Sequence, residues 1–409
     1  MKMLRQIVLD SLTSMPVGQL VLTLPDGTIE KNKSTVSGIN ADIAINSWNF
    51  FDRLVKYGAI GFAESYIAGE WTTLDLNKVI EWFIHNADES TVFEGSKRRN
   101  NLLDLFHIAN NLAHKMRPNT IEIAKKNIHD HYDLGNEFFS LFLDETMTYS
   151  SAIFENKDQT LYQAQINKYE NICRKIHLKE GDHVLEIGSG WGGFACYAAK
   201  KYNVKVTGLT ISKEQFDFAK KRVAQENLQD KVEFLLKDFR LMSGKFDKIV
   251  SIEMVEALGD AQVDTFFKAC SDLLTKDGLV AIQLISSADC RYDQLKNSVD
   301  FIQKHIFPGS LLLSIERVVR ATKKTSDLQL VNLCDYAESY AKTLNMWKQN
   351  FIGAEESLKK LGFSESFIRK WIYYFSYCEA AFATRQIGLL QIVLSRPNNK
   401  LLAEVNALV

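Results

Sequence analysis

Three absences narrow the reading of this 409-residue chain. No apolar run approaches the length of a membrane-spanning helix. The stretch MKMLRQIVLDSLTSMPVGQL is broken by charges and has no cleavage-like end, so a protein made and kept in the cytosol is expected. Charge of one sign is also missing. Forty-nine basic residues face fifty acidic ones for a net charge of −1, which leaves no global field for nucleic acid. Any membrane contact must come from a local patch. Paired cysteines are the third absence: Cys173, Cys196, Cys270, Cys290, Cys334 and Cys378 are scattered without a C-x-x-C. They read as reduced core residues rather than a disulfide frame or a metal site. No H-E-x-x-H occurs, and the H-x-H at 129–131 (HDH) is a pattern far more often structural than chelating, so no metal is expected. No internal repeat or low-complexity segment stands out.

What is present changes character near Pro118. Before it, strand-like runs such as Gln19–Leu24 mix with an amphipathic pattern from Ser47 to Trp82, and PDG at 25–27 reads as a hairpin-like turn. The basic, polar stretch EGSKRRNNLLDLFHIANNLAHKMRPNT (94–120) reads as a connecting helix and linker. Its SKRR is first a solvated helix start, with contact to anionic lipid head groups as the minority reading. After Pro118, the strand runs HVLEIG (183–188), VKVTGLT (204–210), VEFLLKD (232–238), DKIVSIEM (247–254) and LVAIQLIS (279–286) alternate with helical stretches such as Lys213–Gln225 and Asp260–Leu274. That alternation predicts an α/β fold of right-handed βαβ units, with a largely parallel sheet covered on both faces. Ligands of such sheets sit beyond the carboxyl ends of the strands.

One strand runs into four glycines within six residues, Gly188, Gly190, Gly192 and Gly193. The spacing satisfies G-x-G-x-x-G, so a dinucleotide site is the first alternative. Such a site calls for an acidic residue at the end of the next strand, where this chain has VTGLTISKEQ with Thr210 and Ser212. Glu186 before the loop and Trp191 within it are instead usual in the first motif of S-adenosylmethionine-dependent methyltransferases, whose glycines let backbone pass beside the cofactor without a side-chain clash.

The flanking segments make the resemblance specific. HYDLGNEFFSLFLDETMTYSSAIF (131–154), VLEIGSGWGGFACYAA, VTGLTISKEQ, FDKIVSIEM and FIQKHIFPGSLL (301–312) occur in one order, and together they resemble the cyclopropane fatty acid synthase family. GFAESYIAGEW (61–71) resembles the amino-terminal domain of its phospholipid-modifying bacterial members. The resemblance covers nearly the whole chain. It implies a Rossmann-like class I methyltransferase domain over 118–409 with a lipid-binding insertion at about 287–345, preceded by a smaller α+β domain and linker over 1–117. It implies S-adenosylmethionine as cofactor, with Tyr149 and Ser150 at its methionine end and Glu186, Gly188, Gly190, Trp191 and Gly192 along its backbone. Thr210 and Gln215 then hold the ribose region, while Asp238 and Phe239 flank the adenine.

The implied reaction adds the cofactor's methyl carbon to a cis double bond of a phospholipid acyl chain, after which a proton must leave. Well-known members accept it on a bicarbonate held by a cysteine, a glutamate, a histidine, a backbone group and a tyrosine. Here Glu256, Ile285 and Tyr340 match the glutamate, the backbone group and the tyrosine. Ser151 stands at the cysteine position, Gln283 at the histidine position, and Ala257 where a histidine usually follows the glutamate. Three departures around one small anion put bicarbonate in doubt. Glu253, at a position where well-known members often have glycine, is the candidate replacement base, aimed with Glu256 into one pocket. The competing reading is that Glu253 only bonds backbone at the strand end. A changed base can change the product from a ring to a methyl or methylene branch.

DFIQKHIFPGSLLLSIERVV (300–319) reads as a lid over the acyl slot that touches lipid, with ordinary core packing as the competing account. In WIYYFSYCEAAFATRQIGLLQIVLSRP (371–397), the strand-like end is expected to finish the sheet. Its aromatics read as buried core before they read as partners of a cation. The expected partner is a phospholipid acyl chain, met peripherally at the inner face of the membrane, and a homodimer stays open. A small-molecule N-methyltransferase and a non-catalytic lipid- or cofactor-binding relative are the two rivals.

Overall fold

The computed structural model describes residues 2–86 and 134–401, with side chains from residue 5 onward. The 94–120 linker with its SKRR, HDH at 129–131 and the first three residues of the 131–154 segment lie outside the described residues. The chain divides into two compact units. One comprises Met1–Met116, Ser298–Ile306 and Trp347–Arg385; the other comprises Arg117–Asn297, Phe307–Met346 and Gln386–Val409.

In the first unit, β1 (Val17–Thr23), β2 (Ile29–Lys31), β3 (Val36–Ile45) and β4 (Trp71–Thr72) form a sheet in the order β2-β1-β3-β4. The PDG segment turns β1 into antiparallel β2, with Gly27 at φ 85° and the Leu24 N–H donating to the Thr28 carbonyl at 2.8 Å. The amphipathic stretch from Ser47 resolves into the helical segment Asn49–Ile67, kinked at Gly58 (φ 56°), and the helix Leu76–His85. Gly69 at φ 72° follows the first of them, and the Asp75 carboxylate caps the second. Fully buried Trp71 packs on Phe62 with ring centroids 4.4 Å apart.

A single cut near residue 117 does not describe this unit, because two later segments return to it. Phe301 packs on Tyr373 at 4.8 Å, and Lys304 and His305 both reach Glu64, at 2.8 and 3.0 Å. The aromatics of the helix Glu365–Ala383 are packed within this unit: Trp371, Tyr373, Tyr374 and Phe375 are buried. That is the core reading of those residues. The supposed lid also divides. Phe301, Ile306, Leu311 and Leu313 are buried, and the last two belong to the core of the second unit, so only part of 300–319 is free for another role.

The second unit is built on a seven-stranded sheet, order β10-β11-β9-β8-β5-β6-β7. Its strands are β5 (His183–Ile187), β6 (Lys205–Thr210), β7 (Val232–Leu236), β8 (Phe246–Ile252), β9 (Leu274–Ser287), β10 (Gln329–Asp335) and β11 (Ile387–Ser395). The five strands from β9 to β7 are parallel, and β11 and β10 are added antiparallel. Near-continuous apolar runs are what a sheet covered on both faces requires, and two buried clusters pack on it, around Ile249 and Phe266 and around Phe194 and Val250. β11 does not finish the sheet. It lies inside it, and β10 forms the edge.

Candidate active site

The parallel strands bring most of the expected residues to one edge of the sheet. Glu186 lies next to last in β5, Thr210 closes β6, Asp238 follows β7, and Glu253 follows β8 directly. Gln283 and Ile285 lie in β9. In the glycine loop, Gly188, Gly190 and Gly192 have φ of 85°, 51° and 82°. A Cβ at Gly188 or Gly192 would approach Met254 or the Phe234 ring to 2.7 Å, so packing alone demands those two glycines. A Cβ at Gly190 would meet nothing within 4 Å, so this backbone borders open space. Trp191 is buried, held by its indole N–H donating to Asn136 Oδ1 at 2.6 Å and by Phe139 at 5.1 Å. Its place is in the wall of the loop.

Buried Glu186 has an Oε2 with no hydrogen-bond partner, and burial lifts its carboxyl well above the usual range against the pull of Lys168. An open cradle beside a buried, unpartnered acceptor fits a sulfonium cofactor with an amino-acid end. Thr210 Oγ1 donates to Gln215 Oε1 at 2.9 Å, so the two residues expected at the ribose form one buried pair. Asp238 is bound by Arg240, whose Nε and Nη2 donate at 2.8 and 2.7 Å. The Arg240 backbone N–H also donates to Asp238 Oδ1, at 2.9 Å. Phe239 is buried against Phe266, with ring centroids 5.6 Å apart. Half-buried Tyr149 sits among Phe139, Phe142 and Phe307 at 5.3, 6.0 and 6.3 Å.

Glu253 is the centre of the acid–base cluster. Its Oε1 accepts from the Ser151 backbone N–H at 2.9 Å and from Gln283 Nε2 at 2.8 Å; its Oε2 accepts from the Tyr340 hydroxyl at 2.6 Å. Three of the positions that the resemblance assigns to an anion thus converge on a side-chain carboxylate. Burial raises the Glu253 pKa, opposed by the Tyr340 hydrogen bond first and then by the charge of Lys168. Its backbone has φ 48°, a left-handed conformation that glycine adopts freely and other residues adopt at a cost. Glu256 lies one turn on, in the short 3-10 helix Val255–Ala257. Its Oε1 accepts from the Ile285 N–H at 2.6 Å, while Oε2 is buried without a partner. Burial and then the neighbouring Glu253 charge push the Glu256 carboxyl up to about 8, so it is largely neutral at pH 7. The Ser151 hydroxyl donates to the Ala152 carbonyl, which leaves its backbone N–H as the group that meets Glu253.

The profile of the family described as mycolic acid cyclopropane synthetase matches residues 120–392. The chain belongs to that family. It is 35% identical over 355 residues to the tuberculostearic acid methyltransferase UfaA1 of Mycobacterium tuberculosis, covering 84% of this chain and 80% of that protein. It is 34% identical over 362 residues to the cyclopropane-fatty-acyl-phospholipid synthase of Escherichia coli, covering 87% and 88% of the two. The crystal structure of mycolic acid cyclopropane synthase CmaA1 complexed with SAH and CTAB superposes on 69% of this chain and all of that one, with a TM-score of 0.62 at 30% identity. The chain is therefore an S-adenosylmethionine-dependent, cyclopropane synthase-like methyltransferase that acts on lipid acyl chains.

In this cyclopropane synthase relative, one member of the cluster escapes a reading by motif. Lys168 is fully buried on the helix Leu161–Lys175, and its ammonium donates to Ser150 Oγ at 2.7 Å. Burial draws its pKa down to about 7 against the charges of Glu253, Asp144 and Glu186. Leu161, Ala164, Lys168 and Ile172 all lie on the buried face, so the 3–4 spacing was the available signal that this lysine points inward.

Proposed function

We propose that the enzyme methylates the cis double bond of an unsaturated phospholipid acyl chain, and that Glu253 takes up the proton lost afterwards. The observation that carries this reading is the Glu253 carboxylate held by donors from Ser151, Gln283 and Tyr340. When bound, the cofactor supplies an electrophilic methyl carbon. An alkene is a poor nucleophile, so the chain must align it and exclude water. Tyr149 and Phe307, backed by fully buried Phe139 and Phe142, offer an apolar wall for that purpose. Once the new carbon–carbon bond has formed, the positive charge left on the acyl chain is relieved by proton loss, and the Glu253 carboxylate accepts. A proton from the new methyl group closes a ring; one from the neighbouring chain carbon leaves a branch. On this reading bicarbonate is not required, because its expected donors already hold a carboxylate. Glu256, largely neutral, accepts from Ile285 and adds no second full negative charge beside the base. The phospholipid substrate entails peripheral contact with a membrane surface, at the inner face for a cytosolic protein.

The test is mass spectrometry of fatty acids from unsaturated phospholipid vesicles incubated with the enzyme and methyl-deuterated cofactor. One added carbon retaining two deuteriums identifies a ring or methylene product, and three identify a methyl branch. Labelled soluble amines with unlabelled lipid would overturn the reading, as would cofactor binding without any transfer.

A further inference from the structure

We infer that Gln391 and Asn171 are positioning residues, the outer links of a one-way chain of side-chain amides that holds the NH2 of Gln283 against the Glu253 carboxylate. The inference rests on Glu253 being the proton acceptor. Gln283 and Gln391 are directly paired across β9 and β11, and both are buried in the middle of the sheet. A buried amide must find partners for its oxygen and its nitrogen, or it destabilises the fold. Here the partners fall in series. Asn171 Nδ2 donates to Gln391 Oε1 at 3.1 Å, Gln391 Nε2 donates to Gln283 Oε1 at 2.9 Å, and Gln283 Nε2 donates to Glu253 Oε1 at 2.8 Å.

The inner end fixes the direction. At the inner end, Gln283 Nε2 faces two acceptors, Glu253 and the Ser151 carbonyl at 3.2 Å, so its nitrogen must point there. At the outer end, Asn171 Nδ2 also reaches the Tyr336 oxygen at 2.7 Å, and the donor-only ammonium of Lys175 approaches the same oxygen at 3.3 Å. Reversing Gln283 or Gln391 would set oxygen against oxygen at one contact and N–H against N–H at the other, and reversing Asn171 would set its oxygen against Gln391 Oε1. Gln391 therefore adds a third restraint on the face that Gln283 shows to the base, beside Glu253 and the Ser151 carbonyl. With its NH2 inward, Gln283 favours the ionised carboxylate that can accept a proton; with its oxygen inward, it would oppose that form. The other polar groups at Glu253 are the Tyr340 hydroxyl, the charge of Lys168 and the Glu256 carboxyl. None of them bonds to the Gln391 side chain, whose partners among the described residues are Asn171 and Gln283.

The experiment compares pH profiles of kcat on unsaturated phospholipid vesicles for wild type, Gln391→Met, Gln391→Glu and Glu253→Gln, with S-adenosylhomocysteine affinity by calorimetry alongside. Gln391→Met removes the donor with little change of shape, and Gln391→Glu replaces it by an acceptor. Both are expected to lower kcat by about tenfold, the scale of one hydrogen bond to a charged group. Both should move the acid limb to higher pH, with KM for vesicles and the S-adenosylhomocysteine affinity within about twofold of wild type. A purely structural role would change the affinity or the melting temperature and leave the acid limb where it was. A Gln391→Met profile superimposed on wild type, with Glu253→Gln inactive, overturns the relay alone. Normal turnover by Glu253→Gln overturns the base itself. If Gln391→Met does not fold, Asn171→Leu removes the next donor and is read in the same way.

Discussion

Replacing Glu253 by glycine removes the proposed base at a backbone conformation that glycine prefers. At φ 48° the glutamate carries a left-handed penalty of about 1–2 kcal/mol, which the substitution relieves. Three hydrogen bonds to the carboxylate disappear, each worth about 1.5–3 kcal/mol when a charge is involved, but so does the burial of an ionisable group. These terms oppose one another, and the fold is expected to survive. Turnover is not. General acid–base catalysis contributes about 10²–10⁴ in rate, or about 3–5 kcal/mol of barrier, so Glu253→Gly should lose that factor in kcat while still binding S-adenosylhomocysteine. The Ser151 N–H, Gln283 Nε2 and the Tyr340 hydroxyl would then surround a space the size of a carboxylate, and bicarbonate or formate should occupy it and restore part of the rate. The assay is incorporation of deuterated methyl into vesicle lipid in carbonate-depleted buffer, with and without added anion. Turnover within twofold of wild type in the depleted buffer would refute the role of Glu253. An inactive variant that binds S-adenosylhomocysteine normally and ignores both anions would refute the idea that these donors form an anion site.

Glu256→Gln tests the raised carboxyl. Its pKa moves from 4.5 to about 8 on folding, so the folded state binds the proton more tightly. Its favourable contribution is complete below about pH 4.5 and is lost as pH rises through about 8, at a slope of up to about 1.4 kcal/mol per pH unit. Urea unfolding between pH 5 and 8 should show wild type losing stability against Glu256→Gln as pH rises; parallel curves would count against it. Lys168→Met should move the acid limb of kcat upward, because the lost cation favours ionised Glu253. An unmoved limb would show that Lys168 serves only to hold Ser150. Gly190→Ala and Gly192→Ala should separate ligand space from packing. Both meet a left-handed penalty of about 1–2 kcal/mol, but Gly192→Ala also drives a Cβ into the Phe234 ring and should lower the melting temperature more. Gly190→Ala should weaken S-adenosylhomocysteine binding by about tenfold or more, and unchanged affinity would remove Gly190 from the cofactor site.

The parallel core was legible because buried strands read as apolar runs between helical segments, and β5 to β9 fall where those runs lie. Glu253 was legible as a departure, a charged residue at a position where well-known members often have glycine, and its φ supplies the physical reason glycine suits that position. Lys168 was not. A lysine in a polar helix such as LYQAQINKYENICRK looks solvated until its neighbours at 3–4 spacing prove to be the buried ones. The return of Ser298–Ile306 and Trp347–Arg385 to the first unit was hidden for another reason: chain order records neighbours in sequence, and those contacts are made with residues hundreds of positions away. Gln391 carried a signal that went unread. A lone amide in IGLLQIVLS, with buried residues on both sides, must have a buried partner.

The pairings of β9 with β8 and with antiparallel β11 give the base more than a sheet edge. Ile252 pairs with Gln283 across β8 and β9, and Gln283 pairs with Gln391 across β9 and β11. The Glu253 N–H then donates to the Gln283 carbonyl at 2.8 Å, so main chain and side chain of one glutamine fix both ends of the same glutamate. Side chains alternate along a strand, and a one-residue slip of β9 would turn Gln283 to the opposite face. The register of β9 therefore sets the position of the carboxylate as firmly as its three hydrogen bonds do. A strained left-handed residue persists only where its surroundings over-determine it. At Glu253, two strand pairings and the cage of donors supply that over-determination, which is how a glutamate can stand at a position that favours glycine.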